Sequence, residues 1–169
     1  MSLILTEQLK SIGKLLQKEL VDELVRQGHV NTGDLAASID FKIDITNEGA
    51  EIFAGSNLDY AEWVNNGRKA GGKKVPIAVL IQWVEDKGLA TNDDEIKSIA
   101  YAIRQTIYKE GIPSPNSFKF SETGSRTKFV ETVAGEQYYT VVKMVEDFAI
   151  GQVEKSIKTM VTNFNKNNA

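Results

Sequence analysis

Apolar residues recur at helical spacing from about Leu3 to Gln27: Leu5, Leu9, Ile12, Leu16, Leu20 and Leu24, widened by Leu15, Val21 and Val25. The spacing predicts an amphipathic helix of roughly seven turns, with Gly28 as its stop and Gly13 a weak point inside it. The stripe reads as core, and a helix this long also has length left over to meet a neighbouring copy. Asn31 or Thr32 is placed to cap a short turn of helix, with Asp34 in its first turn at the favourable end of the dipole. The period then changes to two. Ile39, Phe41, Ile43 and Ile45 alternate with Asp40, Lys42 and Asp44, Thr46-Asn47-Glu48-Gly49 turns the chain, and Ile52 and Ala54 continue to Gly55 with Phe53 on the other face. This is the pattern of an antiparallel hairpin with one wet face. Two strands alone are marginal in water, so the long helix, a later strand or another chain must cover or complete them.

From Gly55 to Gly67 the chain reads as a strand end, then a short helix carrying Tyr60, Ala61, Trp63 and Val64. A basic loop follows, Arg68-Lys69-Ala70-Gly71-Gly72-Lys73-Lys74. Pro76 opens a helix through Trp83 and Val84 that stops at Lys87-Gly88, and another begins near Thr91, Asn92 or Asp93 and ends at Gly111. Pro113, Pro115 and the polar residues to Thr127 argue for a loop. Helical periodicity returns from about Lys128 to Phe164, with Phe129, Val133, Val145, Val153, Ile157 and Met160 among its apolar positions. The expected fold class is α+β: a long N-terminal helix packed on a small antiparallel sheet, a helical insert and a long C-terminal helix. We expect a single domain over residues 1–169, with a core at 3–113, a loop at 112–127 and the last helix at 128–164.

Composition narrows the functions. The net charge of −3 gives no global attraction to nucleic acid or to an anionic membrane. The chain has no cysteine, which excludes a disulfide scaffold and fits a reducing compartment. No apolar run approaches the ~20 residues that span a bilayer, so no membrane partner is expected. The first residues, Met1-Ser2-Leu3-Ile4-Leu5, lack the features of a signal peptide, and a cytoplasmic product is expected.

No catalytic constellation is visible, so no enzyme activity, catalytic residue, cofactor or metal site is expected. Glu85/Asp86 and Asp93/Asp94 lie at helix ends, where solvation and the dipole explain them. Gly71-Gly72-Lys73-Lys74 lacks the spacing of a phosphate-binding loop. The single His29 follows a helix stop and reads as a surface or capping residue. The basic loop differs from these. Arg68, Lys69, Lys73 and Lys74 fall together without an acid, and repulsion and glycine should keep the free loop extended. It is a solvated surface loop or a contact to nucleic acid or an acidic partner surface. Tyr60, Trp63 and Trp83 are core or interface aromatics; the spacing around both tryptophans favours core.

The order of these motifs resembles a known group. Thr32-Gly33-Asp34-Leu35 before Ser38-Ile39 is similar to the "TGxLxxSI" start of bacteriophage neck proteins of the tail-completion (head–tail joining, minor tail) family. Asp59-Tyr60-Ala61-Glu62-Trp63-Val64-Asn65-Asn66-Gly67 resembles that family's "YAxxVExGT" segment, with a hairpin between the two motifs. Trp83, Lys87-Gly88-Leu89, Ile99-Ala100-Tyr101-Ala102-Ile103, Ile107 and Gly111-Ile112-Pro113 resemble the insert of longer members. The similarity covers roughly Leu5 to Pro113. Asn65-Asn66-Gly67-Arg68 departs from the family's acid and Gly-Thr, so that acid's role does not carry over. The family's "PFL" is not intact, and Phe118 or Phe129 stands for its Phe. The resemblance implies a non-enzymatic structural protein of the virion, assembled in the host cytoplasm. It implies a homo-oligomeric ring that joins the tail to the capsid connector and touches connector and tail-terminator or tail-tube proteins. The basic loop would then face DNA in the channel or the adjoining ring. The alternative is a small nucleic-acid-binding module using loop 68–74.

Overall fold

The computed structural model describes residues 3–29, 32–46, 49–58 and 60–167. The N-terminal stripe forms α1, Leu3–Arg26, with Leu9, Ile12, Leu20 and Leu24 buried along it. Gly28 ends it at φ 70°: its N–H reaches Val25 O at 2.8 Å and that of His29 reaches Leu24 O at 2.9 Å, the paired bonds of a Schellman turn. Gly13, the weak helix former inside α1, has a packing role. It is buried beneath the Phe41 ring, and a Cβ there would overlap that ring. The glycine sacrifices helix propensity so that a strand can approach closely.

The short turn is α2, Asp34–Ser38. Gly33, at φ 88°, stands at its N-cap; the Thr32 hydroxyl, one residue before it, donates to Asp34 Oδ2 at 2.7 Å and accepts the Asp34 N–H at 3.4 Å. Asn31, the other expected cap, lies outside the described residues, as do Asn47 and Glu48 of the hairpin turn and Asp59 of the aromatic segment. The hairpin is β1, Ile39–Ile45, and β2, Ala50–Ser56, paired antiparallel with Phe41 opposite Ala54 and Ile43 opposite Ile52. The period-2 reading holds: these residues share the face under α1, while Phe53, opposite Lys42, is exposed. Among the described residues no later strand joins this two-stranded sheet.

Helix α3, Ala61–Asn66, follows the sheet. The insert is α4, Ile77–Asp86, and α5, Asp93–Glu110, which pack on each other around Val75, Leu80, Val84, Ile96 and Ala100. Trp83 packs against this cluster, as its spacing suggested. The end signals act as read. Gly88, at φ 59°, closes α4, and Asn92 caps α5 by accepting the Glu95 N–H at 2.9 Å. The loop expected at 112–127 contains a 3-10 helix, Pro115–Phe120, and the last helix is α6, Phe129–Asn167.

The main core draws Leu20 and Leu24 from α1, Leu35 and Ile39 from the α2–β1 junction, and Phe129 and Val133 from α6. It is therefore not confined to residues 3–113. A helix over a two-stranded sheet leaves one side open, and the first turns of α6 close it. At 39 residues α6 is about 58 Å long, more than the body can cover. Gln8 Nε2 donates to Met144 O at 3.0 Å, near the start of α1. Beyond that point every residue from 149 to 164 is exposed except Gln152.

Candidate interaction surface

The stretch from Tyr60 to Lys74 forms the neck of the α4–α5 insert. Arg68 and Ile112, on either side of that insert, exchange N–H···O bonds of 2.8 Å each way. Gly67 and Gly111 flank the exchange with positive φ, and a Cβ on either would strike the opposite strand's carbonyl oxygen. The neck thus needs glycine on both sides.

This closure reorganises the basic loop. It is held to its own chain rather than standing free. Gly71 N–H donates to Tyr108 O at 2.7 Å, and the Arg68 guanidinium donates to Lys73 O at 2.7 Å. Arg68 Cζ also lies 5.2 Å from the centre of the Trp63 ring, and Lys74 Nζ lies 4.9 Å from that of Tyr108. Cation–π contact and a carbonyl acceptor therefore occupy two of the four charges. Lys69 and Lys73 remain exposed, with no side-chain partner among the described residues.

Trp63 corrects the core reading. It is 55% exposed, because α3 turns only Ala61 and Val64 toward the main core. Tyr60 is also on the surface, and burial against its neighbours, then the charge of Asp34, raises its phenol pKa. The sequence thus led to an exposed aromatic–cation pair, Trp63 with Arg68, but placed its ring inside.

Asn65 is the residue that sequence reasoning passed over. Its Oδ1 accepts the Val130 N–H at 3.0 Å, its backbone O accepts the Lys128 N–H at 2.6 Å, and its Nδ2 donates to Glu131 Oε2 at 2.9 Å. Lys128, before the first residue of α6, cannot cap a helix with its own side chain. Asn65 does so from α3, reproducing across the fold the reciprocal bonds of a capping box. The Asn65 amide, above all, holds the Glu131 carboxyl below its usual pKa. The signal available in the sequence was Asn65 itself, where the resembled family has an acid.

The segment before α6 is fastened to the end of α1. The fully buried Gln27 donates from Nε2 to Glu23 Oε1 at 2.8 Å and to Thr127 O at 3.2 Å. Glu23, also buried, has its other oxygen 2.8 Å from Arg26 Nη2. His29 Nε2 lies 2.9 Å from Arg126 O. Burial lowers the His29 pKa, the Arg126 charge lowers it further, and the bond to the Arg126 carbonyl opposes both. His29 thus joins the helix stop to the segment before α6; its expected capping role falls to its backbone N–H.

Surface depressions are shallow. One runs along α6 beside Lys155, Lys158 and Thr162, and another lies between α1 and α2 beside Lys14, Lys18 and Asp22. Among the described residues no three His, Asp or Glu side chains gather where a metal ion could sit. No helix among them is long and apolar enough to cross a membrane. No family model, curated protein or solved structure matches this chain.

Proposed function

We propose that this chain is a structural protein of a bacteriophage neck, a tail-completion component that assembles as a ring between tail and capsid connector. The observation that carries the assembly part is α6, whose apolar residues beyond Ile150 lie on solvent. A surface of that kind favours a partner. The two-stranded sheet adds edges that another chain can extend. The order of the Thr32–Ile39 and Tyr60–Gly67 motifs supplies which assembly it is. Its partners are then further copies, connector proteins, and tail-terminator or tail-tube proteins. Co-purification and cryo-EM of the parent particle test this. Density for the chain as a ring at the head–tail junction is expected. A chain that stays monomeric with neck and tail proteins, and is missing from the particle, would overturn it.

The basic loop favours a second reading, contact with nucleic acid backbone, carried by Lys69 and Lys73. Two phosphate contacts per copy predict about a tenfold loss of affinity between roughly 50 and 200 mM salt. Fluorescence anisotropy with duplex DNA would measure it. Lys69→Ala with Lys73→Ala should remove most of the binding, and wild-type chain that fails to bind at low salt excludes this reading.

A further inference from the structure

We propose that residues 150–161 of α6 pack against the same segment of a second copy of this chain. This deepens the assembly reading above and rests on it; it names the surface by which copies meet. Ile150, Val153, Ile157 and Met160 follow a three-four-three spacing, the seam of a coiled coil. With Val161 beside them they are each between 51% and 63% exposed.

Three observations point to a second helix as the occupant. The first is direction. Val141, Val142, Met144, Phe148 and Gln152 are the half-buried residues approaching the overhang. At about 100° per residue the seam lies roughly 140° round the helix from their mean direction, turned away from α1. The second is propensity. Gly151, Val153, Ile157, Thr159, Val161 and Thr162 are weak helix formers, and a short helix of such residues is marginal unless its apolar side is packed. The third is self-complementarity. Ala149, Glu154, Ser156 and Val161 flank the seam, so Glu154 is its only flanking charge, while Lys155 and Lys158 point away. Two copies can therefore meet without opposing like charges. Burying about 100 Å² on each of five side chains removes about 1,000 Å² from the pair, the lower edge of a specific interface. The contact is consequently expected to be micromolar.

The test is sedimentation velocity on the full chain over about 1 to 100 μM, a range set by that area. Wild type should pass from monomer to dimer or higher species. Ile157→Asp with Met160→Asp should weaken association at least tenfold, and Thr159→Asp, on the other side of the helix, should not. Because the chain lacks cysteine, Ile157→Cys, alone and with Met160→Cys, gives a readout that does not depend on destabilising the helix. Oxidation should link copies of both variants if the helices run parallel, and of the double variant alone if they run antiparallel. The seam is overturned by a wild-type chain that stays monomeric, by association that the double Asp variant leaves intact, or by no crosslink in either variant. Intact association in the double Asp variant would remove the seam and leave the ring reading standing. A dimer that forms through the seam but never enters a phage particle would do the reverse. Monomeric chain that binds anionic vesicles through the same residues would also overturn it.

Discussion

The two halves of α6 share an amphipathic character and differ in what they meet. Near its start, Phe129 and Val133 sink to 2% exposure among Leu20, Leu24, Leu35 and Ile39. Toward its end, Ile150, Val153, Ile157 and Met160 stay more than half exposed. Nothing in the spacing separates the two. α1 has run out: its start lies beside Met144, and the helix continues alone. Periodicity reports that a helix has an apolar side, and geometry decides whether its own chain can cover it.

The sharpest test of this contrast places one charge in each half. Val133→Asp buries an unpaired carboxylate and should cost about 3–5 kcal/mol of stability. Val153→Asp, measured at sub-micromolar chain so that copies are apart, should stay within about 0.5 kcal/mol. Denaturant titration followed by tryptophan fluorescence measures both, and equal costs would break the comparison.

Glycines extend it. Gly13→Ala drives a methyl into Phe41 and should cost about 1–3 kcal/mol. A methyl on Gly151 would meet nothing within 4 Å, and Gly151→Ala should stabilise the helix by up to about 1 kcal/mol. Circular dichroism during thermal unfolding would show the opposite signs.

A smaller effect tests how the packed half is started. Asn65→Ala removes the acceptor for Val130 and the donor to Glu131, and should cost about 1 kcal/mol. NMR titration should find the Glu131 carboxyl raised toward its ordinary range, with its own backbone N–H and Lys128 still lowering it. An unmoved carboxyl would show that Asn65 is not what lowers it.

The smallest effect is a pH dependence at His29. Its folded pKa lies below its unfolded value, so the unfolded chain takes up more protons as pH falls. Stability is therefore full above about pH 6.5 and declines as pH drops toward the folded value. His29→Gln should flatten that slope before carboxylates titrate; an unchanged slope would place its origin elsewhere.

Most elements were legible because their signals are local. Gly28 and Gly88 ended helices through αL turns, Asn92 capped α5, and alternation at Ile39 to Ile45 placed the hairpin faces. The interaction surface was half legible. A run of four cations shows in the sequence, but not that Arg68 lies on Trp63 and Lys74 on Tyr108. Those pairings depend on the antiparallel exchange between Arg68 and Ile112, which lie far apart along the chain.

The sequence by itself determined which segments coil, which pair and where each stops, because backbone preference and apolar period act over a few residues. Tertiary structure alone decided the rest: that Gly13 is a seat for Phe41, that Asn65 caps α6 and that Trp63 lies outside. It also decided that the last turns of α6 lie outside the core. Each of these depends on which distant residue comes within a few ångströms, and on where α1 ends beside a longer helix.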